Sequence, residues 1–298
     1  MSVKRKEHAR QFGLNLIMIF AALLCLIPFA LIVMSSFSDN SFIVRYGYTL
    51  WPRKWSFAAY AYLADRSNTI LRAYGVSVAV TLLGTLANLT ITTLLAYPLS
   101  RRDLPARSAL CFFVFFTMLF NGGLVPTYLW YTNFIGVKNT LWGLIVPGLM
   151  MKAYYVILIR TFVTNNVPTA LIESAQIDGA TEFHLFLRII LPMCKPIIAT
   201  VLLFVGIDYW NDWYNGMIYV TNSRLYSIQN FLTRLLNDIA YLQSSANLTG
   251  DAAAVLAKMP TVSVRLAIAI IGILPIVIVY PFIQKNFVKG IAIGSVKG

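Results

Sequence analysis

Long apolar stretches separated by polar connections make up most of the chain. A helix needs about 20 apolar residues to cross the hydrocarbon core of a bilayer. Six stretches have that character, the fourth interrupted by one lysine and the fifth continuing past an aspartate; they cover Gln11 to Ser38, Ala73 to Ser100, Ser108 to Val137, Leu141 to Ile159, Pro196 to Ile207 and Leu266 to Gln284. The pattern predicts an all-α polytopic membrane protein with six transmembrane helices.

Composition supports this fold class. Hydrophobic residues make up 58% and charged residues 12% of the 298 residues, and the mean hydropathy is +0.71, values outside the range of soluble globular domains. The first stretch follows the basic residues Lys4, Arg5, Lys6 and Arg10, but it is too long for the apolar core of a signal peptide and lacks a small-residue cleavage site. We expect it to be retained as the first helix.

The net charge of +13 raises the question of a nucleic-acid partner. The basic residues are scattered over several connections and no aromatic RNA-binding motif accompanies them, so we expect no nucleic acid. Lysine and arginine in short connections instead orient membrane proteins, because these connections stay in the cytoplasm. Arg101, Arg102 and Arg107 crowd the second connection while the third carries Lys138. Both termini and the segment around Glu173 are therefore predicted to be cytoplasmic.

Two long segments are predicted on the outer side, at about 37–72 and about 218–265. The first is rich in tryptophan, tyrosine and arginine, which is typical of a stretch at the membrane interface. The second has apolar residues near helical spacing at Leu225, Ile228, Phe231, Leu232 and Leu235. That spacing predicts an amphipathic helix lying flat on the bilayer or against another protein.

The long inner segment, 160–195, has helical patterning of its own. Pro168 suits the first turn of a helix, Gly179 suits the left-handed backbone that ends one, and Asp178 is placed to cap a second helix. The second helix should carry one apolar stripe and close at Leu191-Pro192. The stripe consists of Phe183, Phe186, Leu187 and Ile190. The prediction is a short helix, a glycine turn and an amphipathic helix at the aqueous side.

This segment resembles the cytoplasmic signature of binding-protein-dependent ABC importer permeases, in which E-A-A is followed after three residues by G and after nine more by I-x-L-P. The matching positions hold Glu173, Ser174, Ala175, Gly179, Ile189, Leu191 and Pro192, with Ser174 in place of the middle alanine as the only departure. The resemblance implies the type I ABC importer, or MetI-like, permease fold. The alternative is a solvated loop between two helices, but such a loop has no need of an apolar stripe.

In that family the element is a coupling helix that docks in a groove on the nucleotide-binding subunit. The resemblance assigns ATPase coupling to Glu173, Ser174, Ala175, Asp178, Gly179, Ala180, Phe183, Phe186 and Leu187. Small residues at Ala175 and Gly179 permit close approach. Carboxylates at Glu173 and Asp178 suit arginine or lysine on a partner.

The C-terminal stretch from Tyr280 to Gly298 is similar to the tail of maltose-type second permease subunits. In the maltose system that tail inserts between the two ATPase subunits, and the corresponding contacts here would come from Lys289, Gly294 and Lys297. The implied layout is a cytoplasmic N-terminus (1–13), a six-helix permease domain (14–284) containing the coupling element (168–192), and a cytoplasmic tail (285–298).

The same resemblance implies partners and a location. The partners would be a homologous second permease in a heterodimer, two nucleotide-binding ATPase subunits, an extracytoplasmic solute-binding protein, the lipid bilayer of the bacterial inner membrane, and an oligosaccharide. ATP and Mg²⁺ would be held by the ATPase subunits, and no cofactor by this chain. The likeness is closest to short permeases of oligosaccharide and polysaccharide importers, such as the alginate importer permease.

The chain has no motif for chemistry of its own. It contains no GxxxxGK[ST] and no Gly-Lys dipeptide, so no phosphate-cradling loop is available to hydrolyse ATP. HExxH, GxSxG and His/Cys clusters are also missing, and Cys25, Cys111 and Cys194 are isolated in or beside apolar stretches. We therefore expect no catalytic residue and no metal site.

Three ionisable residues fall at membrane depth: Lys152, Asp208 and Asp212. Such groups usually face a cavity or a partner. Lys152 could pair with one of the two acids and tie the fourth and fifth helices together. Alternatively, these residues line a substrate path with their polar and aromatic neighbours, since aromatic faces and amides suit sugars; the neighbours are Tyr155, Trp210, Asn211 and Tyr214. Tryptophan and tyrosine near a helix end also serve as interface anchors.

Together these observations predict a permease subunit of an ATP-driven importer that takes up an oligosaccharide or polysaccharide from a binding protein. An acidic substrate, such as alginate or pectin-derived uronides, is a narrower expectation based on Lys152 and on the family likeness. Two other classes stay open. A proton-coupled secondary transporter would use Asp208 and Asp212 as titrating carboxylates, and a membrane-embedded enzyme would need a nucleophile and a base.

Overall fold

The computed structural model describes residues 2–245 and 260–294, and every regular element in these ranges is helical. The α-helices are α1 Ser2–Ser36, α2 Asn40–Tyr46, α3 Ala58–Ala64, α4 Ser67–Ser100, α5 Arg107–Leu119, α6 Leu124–Leu129, α7 Trp142–Ile145, α8 Ala153–Asn166, α9 Thr169–Ile177, α10 Glu182–Leu185, α11 Leu191–Met193, α12 Lys195–Trp210, α13 Tyr214–Tyr219, α14 Ile228–Ser245 and α15 Thr261–Gly294. Shorter helical turns are the π-turns Trp130–Phe134 and Phe186–Ile190 and the 3₁₀ turn Ser223–Leu225. The all-helical fold class is confirmed.

Three helices are long and apolar enough to cross a membrane: Arg10–Ser36, Ser67–Ser100 and Thr261–Pro281. Three further pairs reach that length only together and are bent at a short break; they are Arg107–Leu119 with Leu124–Phe134 (113°), Ala153–Asn166 with Thr169–Ile177 (79°), and Glu182–Met193 with Lys195–Asn211 (79°). Among the described residues the count of spans is three, or up to six if each bent pair forms one. The predicted six equals the upper count.

The chain divides into two compact units; the first is Met1–Ser67 with Arg234–Leu274 and the second is Asn68–Thr233 with Pro275–Gly298. Side-chain caps hold the first unit together. Asp39 accepts the amide of Ser41 at 3.0 Å to begin α2 and pairs with Lys54 Nζ at 2.9 Å. The hydrogen bonds from Ser41 and then from Lys54 lower the pKa of the Asp39 carboxyl to about 2. Asn40 Oδ1 accepts the amide of Val262 at 2.8 Å near the start of α15.

Several aromatic side chains are exposed in the chain segment that follows α1 and precedes α4. Trp51 is 69% and Phe57 65% exposed, while Phe37 stacks on Tyr60 with ring centroids 4.9 Å apart. Exposed aromatic rings suit the boundary between lipid and water, where an apolar ring and a polar atom are both satisfied. The interface location of this segment stays a prediction.

The core of the second unit lies around α4, α8 and α12. Its most buried side chains include Val156, Val201, Val205, Leu185 and Ile190. A glycine permits the close approach of α4 to α12, because a Cβ at Gly84 would lie 2.5 Å from ring atoms of Tyr209. In lipid the hydrophobic effect does not drive helices together, so their association depends on close packing, which small residues at a crossing permit.

The fourth predicted span, Leu141 to Ile159, is interrupted. Its first part forms α7, residues 146–152 are non-helical, and α8 begins only at Ala153. The interruption has a local cause, since Pro147 cannot donate a backbone hydrogen bond and Gly148 has a φ of +70°. The stretch predicted as the fourth span is therefore not one continuous helix.

Side chains from other helices satisfy the carbonyls that this break frees. Tyr209 Oη donates to the carbonyl of Ile145 at 2.9 Å. Asn215 Nδ2 donates to Pro147 at 2.9 Å and Asn88 Nδ2 donates to Leu149 at 2.7 Å. We call these three donors, Asn88, Tyr209 and Asn215, the carbonyl clamp. Non-helical backbone at membrane depth requires such partners because lipid offers none.

The predicted amphipathic helix of the second outer segment is present as α14. Its apolar residues Ile228, Leu232, Leu235 and Ile239 are buried within the chain itself. The face predicted to lie on the bilayer or against another protein is thus already covered. Leu225, which was included in the pattern, belongs to the 3₁₀ turn before the helix.

The last helix, α15, continues to Gly294 and so includes positions 289 and 294 of the predicted tail contacts. Lys297 lies outside the described residues. The role of the tail stays a prediction.

Replacing Gly84 with Ala is expected to destabilise the fold by about 1–3 kcal/mol, because the added methyl would overlap the Tyr209 ring. The matched control is Gly75→Ala on the same helix, where an added Cβ meets nothing within 4 Å. There alanine should be neutral or stabilising by up to about 1 kcal/mol through its helix propensity. Thermal unfolding of the purified protein in detergent measures both. Equal midpoints for the two variants would contradict the close crossing.

Candidate functional site

The segment predicted to be a coupling element begins with α9 and a glycine turn. Pro168 lies at the N-cap of α9, one position earlier than predicted. Gly179 has a φ of +82°, its amide donates to the carbonyl of Gln176, and the amide of Ala180 donates to the carbonyl of Ala175. These two bonds define a Schellman motif, which ends helices with a left-handed residue. The predicted helix end at Gly179 is correct.

The predicted cap of the second helix is wrong. Asp178 lies at the C-cap of α9, and Thr181 begins the next helix by accepting the His184 amide at 3.3 Å. The Schellman turn uses Gly179 and Ala180, so the first free N-cap position comes three residues after Asp178. Threonine suits that position almost as well as aspartate.

The second helix runs from Glu182 to Met193 and is widened by the π-turn Phe186–Ile190. Of the predicted stripe, Phe186 and Ile190 are buried, but Phe183 is 67% and Leu187 44% exposed. Leu185, which the spacing did not select, is fully buried. A π-turn inserts an extra residue per turn and rotates the side chains around it. The single-stripe prediction is therefore half wrong, and two apolar side chains are left at the surface.

The helix also passes its predicted end. Leu191-Pro192 lies inside α11, which ends at Met193. After the buried Cys194, α12 starts in a new direction with a bend of 79°. Pro192 therefore lies in the last turn of the Glu182–Met193 helix, and the helix ends one residue after the predicted close.

The surface of the element combines acids with apolar side chains. Ile177 is 86% exposed, Phe183 and Leu187 are exposed in part, and Glu173 and Asp178 are exposed as well. Ser174 is exposed, while Ala175 and Ala180 are half-buried. Exposed large apolar groups beside polar ones are typical of a protein-binding surface. A solvated loop gives no reason for them.

Glu182 joins this element to the end of α4. Its Oε2 accepts from Tyr97 Oη at 2.6 Å and its Oε1 accepts from Gln176 Nε2 at 2.9 Å. Arg101 Nη2 lies 3.5 Å from the same Oε1. The rings of Tyr97 and Phe186 are 5.5 Å apart. One carboxylate and one aromatic contact therefore connect the element to α4.

Sequence reasoning missed Glu182. An acid in the first turn of a helix is common because it suits the helix dipole, so the residue gave no separate signal. Arg101 holds Asp103 with its Nε at 2.9 Å and its Nη2 at 2.8 Å. That pairing raises the pKa of the Arg101 guanidinium and lowers the pKa of the Asp103 carboxyl. Arg101 is thus held as a fixed cation beside Glu182.

A second cluster lies where α8 begins and α12 ends. Lys152 Nζ is 2.6 Å from Asp208 Oδ2, and Tyr155 Oη donates to the same oxygen at 2.7 Å. Lys152 is the N-cap residue of α8 and Asp208 lies in the last turn of α12. Each charge is unfavourable at its own helix end because the helix dipole has the same sign there. The ion pair offsets both unfavourable interactions with the helix dipoles. It also ties α8 to α12, which is one of the two alternatives predicted for Lys152.

The other residues proposed for a substrate path are not in this cluster. Asp212 Oδ1 accepts the amides of Tyr214 and Asn215 at 3.1 and 3.2 Å and so caps α13. Trp210 is buried, while Asn211 and Tyr214 are exposed. The structure thus brings together Lys152, Tyr155 and Asp208 and gives Asp212 a capping role. Among the described residues no group of His, Cys, Asp and Glu could hold a metal ion.

Comparison with known proteins identifies relatives. The family described as binding-protein-dependent transport system inner membrane component matches residues 91–293. The chain is 36% identical to the polygalacturonan/rhamnogalacturonan transport system permease protein YtcP of Bacillus subtilis (strain 168) over 277 residues, covering 93% of this chain and 94% of the relative. It is 37% identical to protein LplC of the same organism over 92% of this chain and 90% of the relative.

A solved structure is also similar over nearly the whole chain. It is the crystal structure of a bacterial ABC transporter involved in the import of the acidic polysaccharide alginate. One of its chains superposes with a TM-score of 0.76 at 26% identity, covering 95% of this chain and 98% of that one.

Replacing Lys152 with Met is expected to destabilise the protein by about 1–3 kcal/mol, less than for a fully buried pair because both side chains are about one third exposed. The double variant Lys152→Met with Asp208→Asn should recover most of that loss, since no unpaired charge is left. Thermal unfolding in detergent measures the cycle. A double variant less stable than the single one would show that the pair has another role.

Proposed function

We propose that this chain, which belongs to the family of binding-protein-dependent transport system inner membrane components, couples carbohydrate import to ATP hydrolysis through the surface around Gly179. The family consists of multi-pass permeases of the inner membrane that are not themselves enzymes, and the MetI-like fold is shared with the alginate importer permease. Its members work with ATPase and solute-binding subunits. The exposed apolar and acidic surface on the Schellman turn is the observation that supports the coupling role.

The coupling surface would dock in a groove of a nucleotide-binding subunit. Glu173 and Asp178 would meet basic groups there, and Phe183, Leu187 and Ile177 would bury their apolar area. Closure of two such ATPase subunits on ATP would then move α9 and α10. Glu182, bonded to Tyr97 and packed through Phe186, would pass that movement to α4. ATP and Mg²⁺ would be bound by the ATPase subunits, with no cofactor held by this chain.

The proposed assembly contains a homologous second permease, two ATPases and an extracytoplasmic solute-binding protein. In it the chain is oriented with both termini and the coupling surface in the cytoplasm. The contact of Arg101 with Glu182 supports this orientation, because it joins the arginine-rich connection to the coupling element at one end of the second unit. The tail positions Lys289, Gly294 and Lys297 would contact the ATPases, by resemblance to maltose-type permeases.

The proposed substrate is an acidic oligosaccharide. One relative is described as a polygalacturonan/rhamnogalacturonan transport system permease, and the similar solved structure as a transporter involved in the import of the acidic polysaccharide alginate. Of the residues predicted for the path, the exposed Asn211 and Tyr214 are proposed to face it. Tyr155 bonds Asp208, Asp212 caps α13 and Trp210 is buried. Lys152 is already neutralised by Asp208, so a substrate carboxylate would have to replace Asp208 to reach it. Charge selection is therefore assigned mainly to the binding protein.

The proton-coupled alternative is not favoured. It requires Asp208 and Asp212 to titrate during transport, whereas Asp208 is held by Lys152 and Tyr155 and Asp212 caps α13. The family is driven by ATPase subunits instead.

Replacing Gly179 with Val in the intact importer is expected to abolish stimulation of the ATPase by substrate-loaded binding protein. A Cβ at Gly179 meets nothing within 4 Å, so the effect comes from backbone strain of about 1–3 kcal/mol in the left-handed region. Gly136→Val is the matched control, because Gly136 has a φ of +73° and equally open space. ATP hydrolysis in proteoliposomes measures both. Full stimulation with Gly179→Val would count against the coupling role.

Uptake of labelled oligogalacturonate should exceed uptake of a neutral galactan oligomer of the same length by at least about tenfold. A binding site that pairs with carboxylates keeps its polar groups unpaired when a neutral analogue is bound, and the analogue is rejected. Proteoliposomes with the complete importer and internal ATP measure this. Equal uptake of both would refute the acidic substrate while leaving ATP coupling intact.

A further inference from the structure

Two arginines converge on one backbone carbonyl at the end of α4. Arg107 Nε and Arg160 Nε each lie 3.0 Å from the carbonyl oxygen of Leu99. This oxygen is one of the last four carbonyls of a helix, which have no partner within the helix. The simplest role of the arginines is therefore to cap α4, and one would suffice for that.

The two guanidinium groups keep most of their hydrogen-bonding capacity. Each has five N–H donors, and the bond to Leu99 uses one from each. A carbonyl oxygen has two lone pairs, so the pair of bonds already saturates it. Among the described side chains, the remaining donors of Arg107 and Arg160 make no hydrogen bond to a protein acceptor. They lie close together because both groups approach the same atom.

The arginines also lack a counter-charge. The salt bridges of the side chains described in residues 10–244 and 260–281 include neither Arg107 nor Arg160. The carboxylates of Asp103 and Glu182 are engaged by Arg101. Two cations held side by side repel each other, and an anion between them would remove that cost.

A cavity of about 370 Å³ opens at this place. Arg160 and Ser108 are its polar lining residues, and Phe112, Phe115 and Val156 are among its apolar ones. Arg107 does not line the cavity itself and is tied to it through the Leu99 carbonyl that it shares with Arg160. The site has a cationic rim and an apolar interior between α4, α5 and α8. Basic pockets between membrane helices bind lipid headgroups by this combination.

We propose that this cavity binds an anionic phospholipid, with the headgroup phosphate on Arg107, Arg160 and Ser108 and an acyl chain along the phenylalanines. Charge complementarity selects this occupant. An apolar helix of a second permease would fill the cavity without neutralising the arginines. Inorganic phosphate would neutralise them and leave the apolar wall uncovered.

The test measures phosphatidylglycerol binding to the delipidated importer complex by native mass spectrometry in detergent. Arg107→Gln with Arg160→Gln keeps an amide donor for Leu99 and removes both charges. Binding is expected to weaken about 25-fold, because each basic side chain near the membrane surface contributes about a factor of five. Arg102→Gln is the matched control, since Arg102 is exposed and is not one of the two arginines that bond the Leu99 carbonyl.

Three results would overturn the proposal. The first is equal affinity for phosphatidylcholine, and the second is unchanged phosphatidylglycerol binding by the double variant. The third is displacement of the lipid by sodium phosphate alone, which would identify a free-phosphate site instead.

A second measurement needs no variant and applies if the double variant fails to assemble. Cys111 lines the cavity, so added phosphatidylglycerol should slow alkylation of its thiol by a maleimide at least about fivefold. The Cys25 thiol, outside the cavity, should react at an unchanged rate. A Cys111 thiol that is blocked in the lipid-free complex would mean that a second permease covers the site, and it would overturn the proposal.

Discussion

Backbone carbonyls at membrane depth must find a protein donor, and that constraint shapes the second unit. The break between α7 and α8 frees the carbonyls of 145–149, and the carbonyl clamp binds three of them. An unsatisfied carbonyl in hydrocarbon costs several kcal/mol, on the order of the total stability of a domain when three are summed. The break is tolerated because α4, α12 and α13 each place one of these donor side chains next to it.

The clamp also positions the charged cluster. Lys152 ends the non-helical stretch and becomes the N-cap of α8, which brings its ammonium to Asp208. Tyr209, the clamp residue next to Asp208, crosses α4 at Gly84. The need to satisfy the free carbonyls therefore links three features: the crossing of α4 and α12, the break between α7 and α8, and the ion pair of Lys152 with Asp208. At the other end of α4, Glu182 and Phe186 attach the coupling element to the same helix. Helix α4 thus contacts both the segment that carries the coupling surface and the interrupted span.

Features with a local cause could be predicted from the sequence. Gly179 ends α9 because only glycine adopts the left-handed backbone without strain, and the matching pattern around Glu173 identified the family. Features that depend on distant contacts could not. The π-turn at 186–190 changes the spacing of side chains along the helix, and Phe183 and Leu187 are exposed although the spacing assigns them to the buried stripe. Similarly, Pro147 and Gly148 could have suggested a break, but the side chains that make it tolerable come from residues 61 to 68 positions away in sequence. Thr181, and not Asp178, caps α10. Both residue types are suitable caps, and the Schellman turn at Gly179 and Ala180 makes residue 181 the first free N-cap position.

The central claim is that the exposed surface around Gly179 receives movement from a separate ATPase. The most direct measurement places a photoreactive amino acid at position 183, whose side chain is 67% exposed, in the intact importer in native membranes. The account predicts an adduct with the nucleotide-binding subunit whose yield changes when ATP is trapped. Adducts formed only with lipid, or with the solute-binding protein on the outer side, would contradict it.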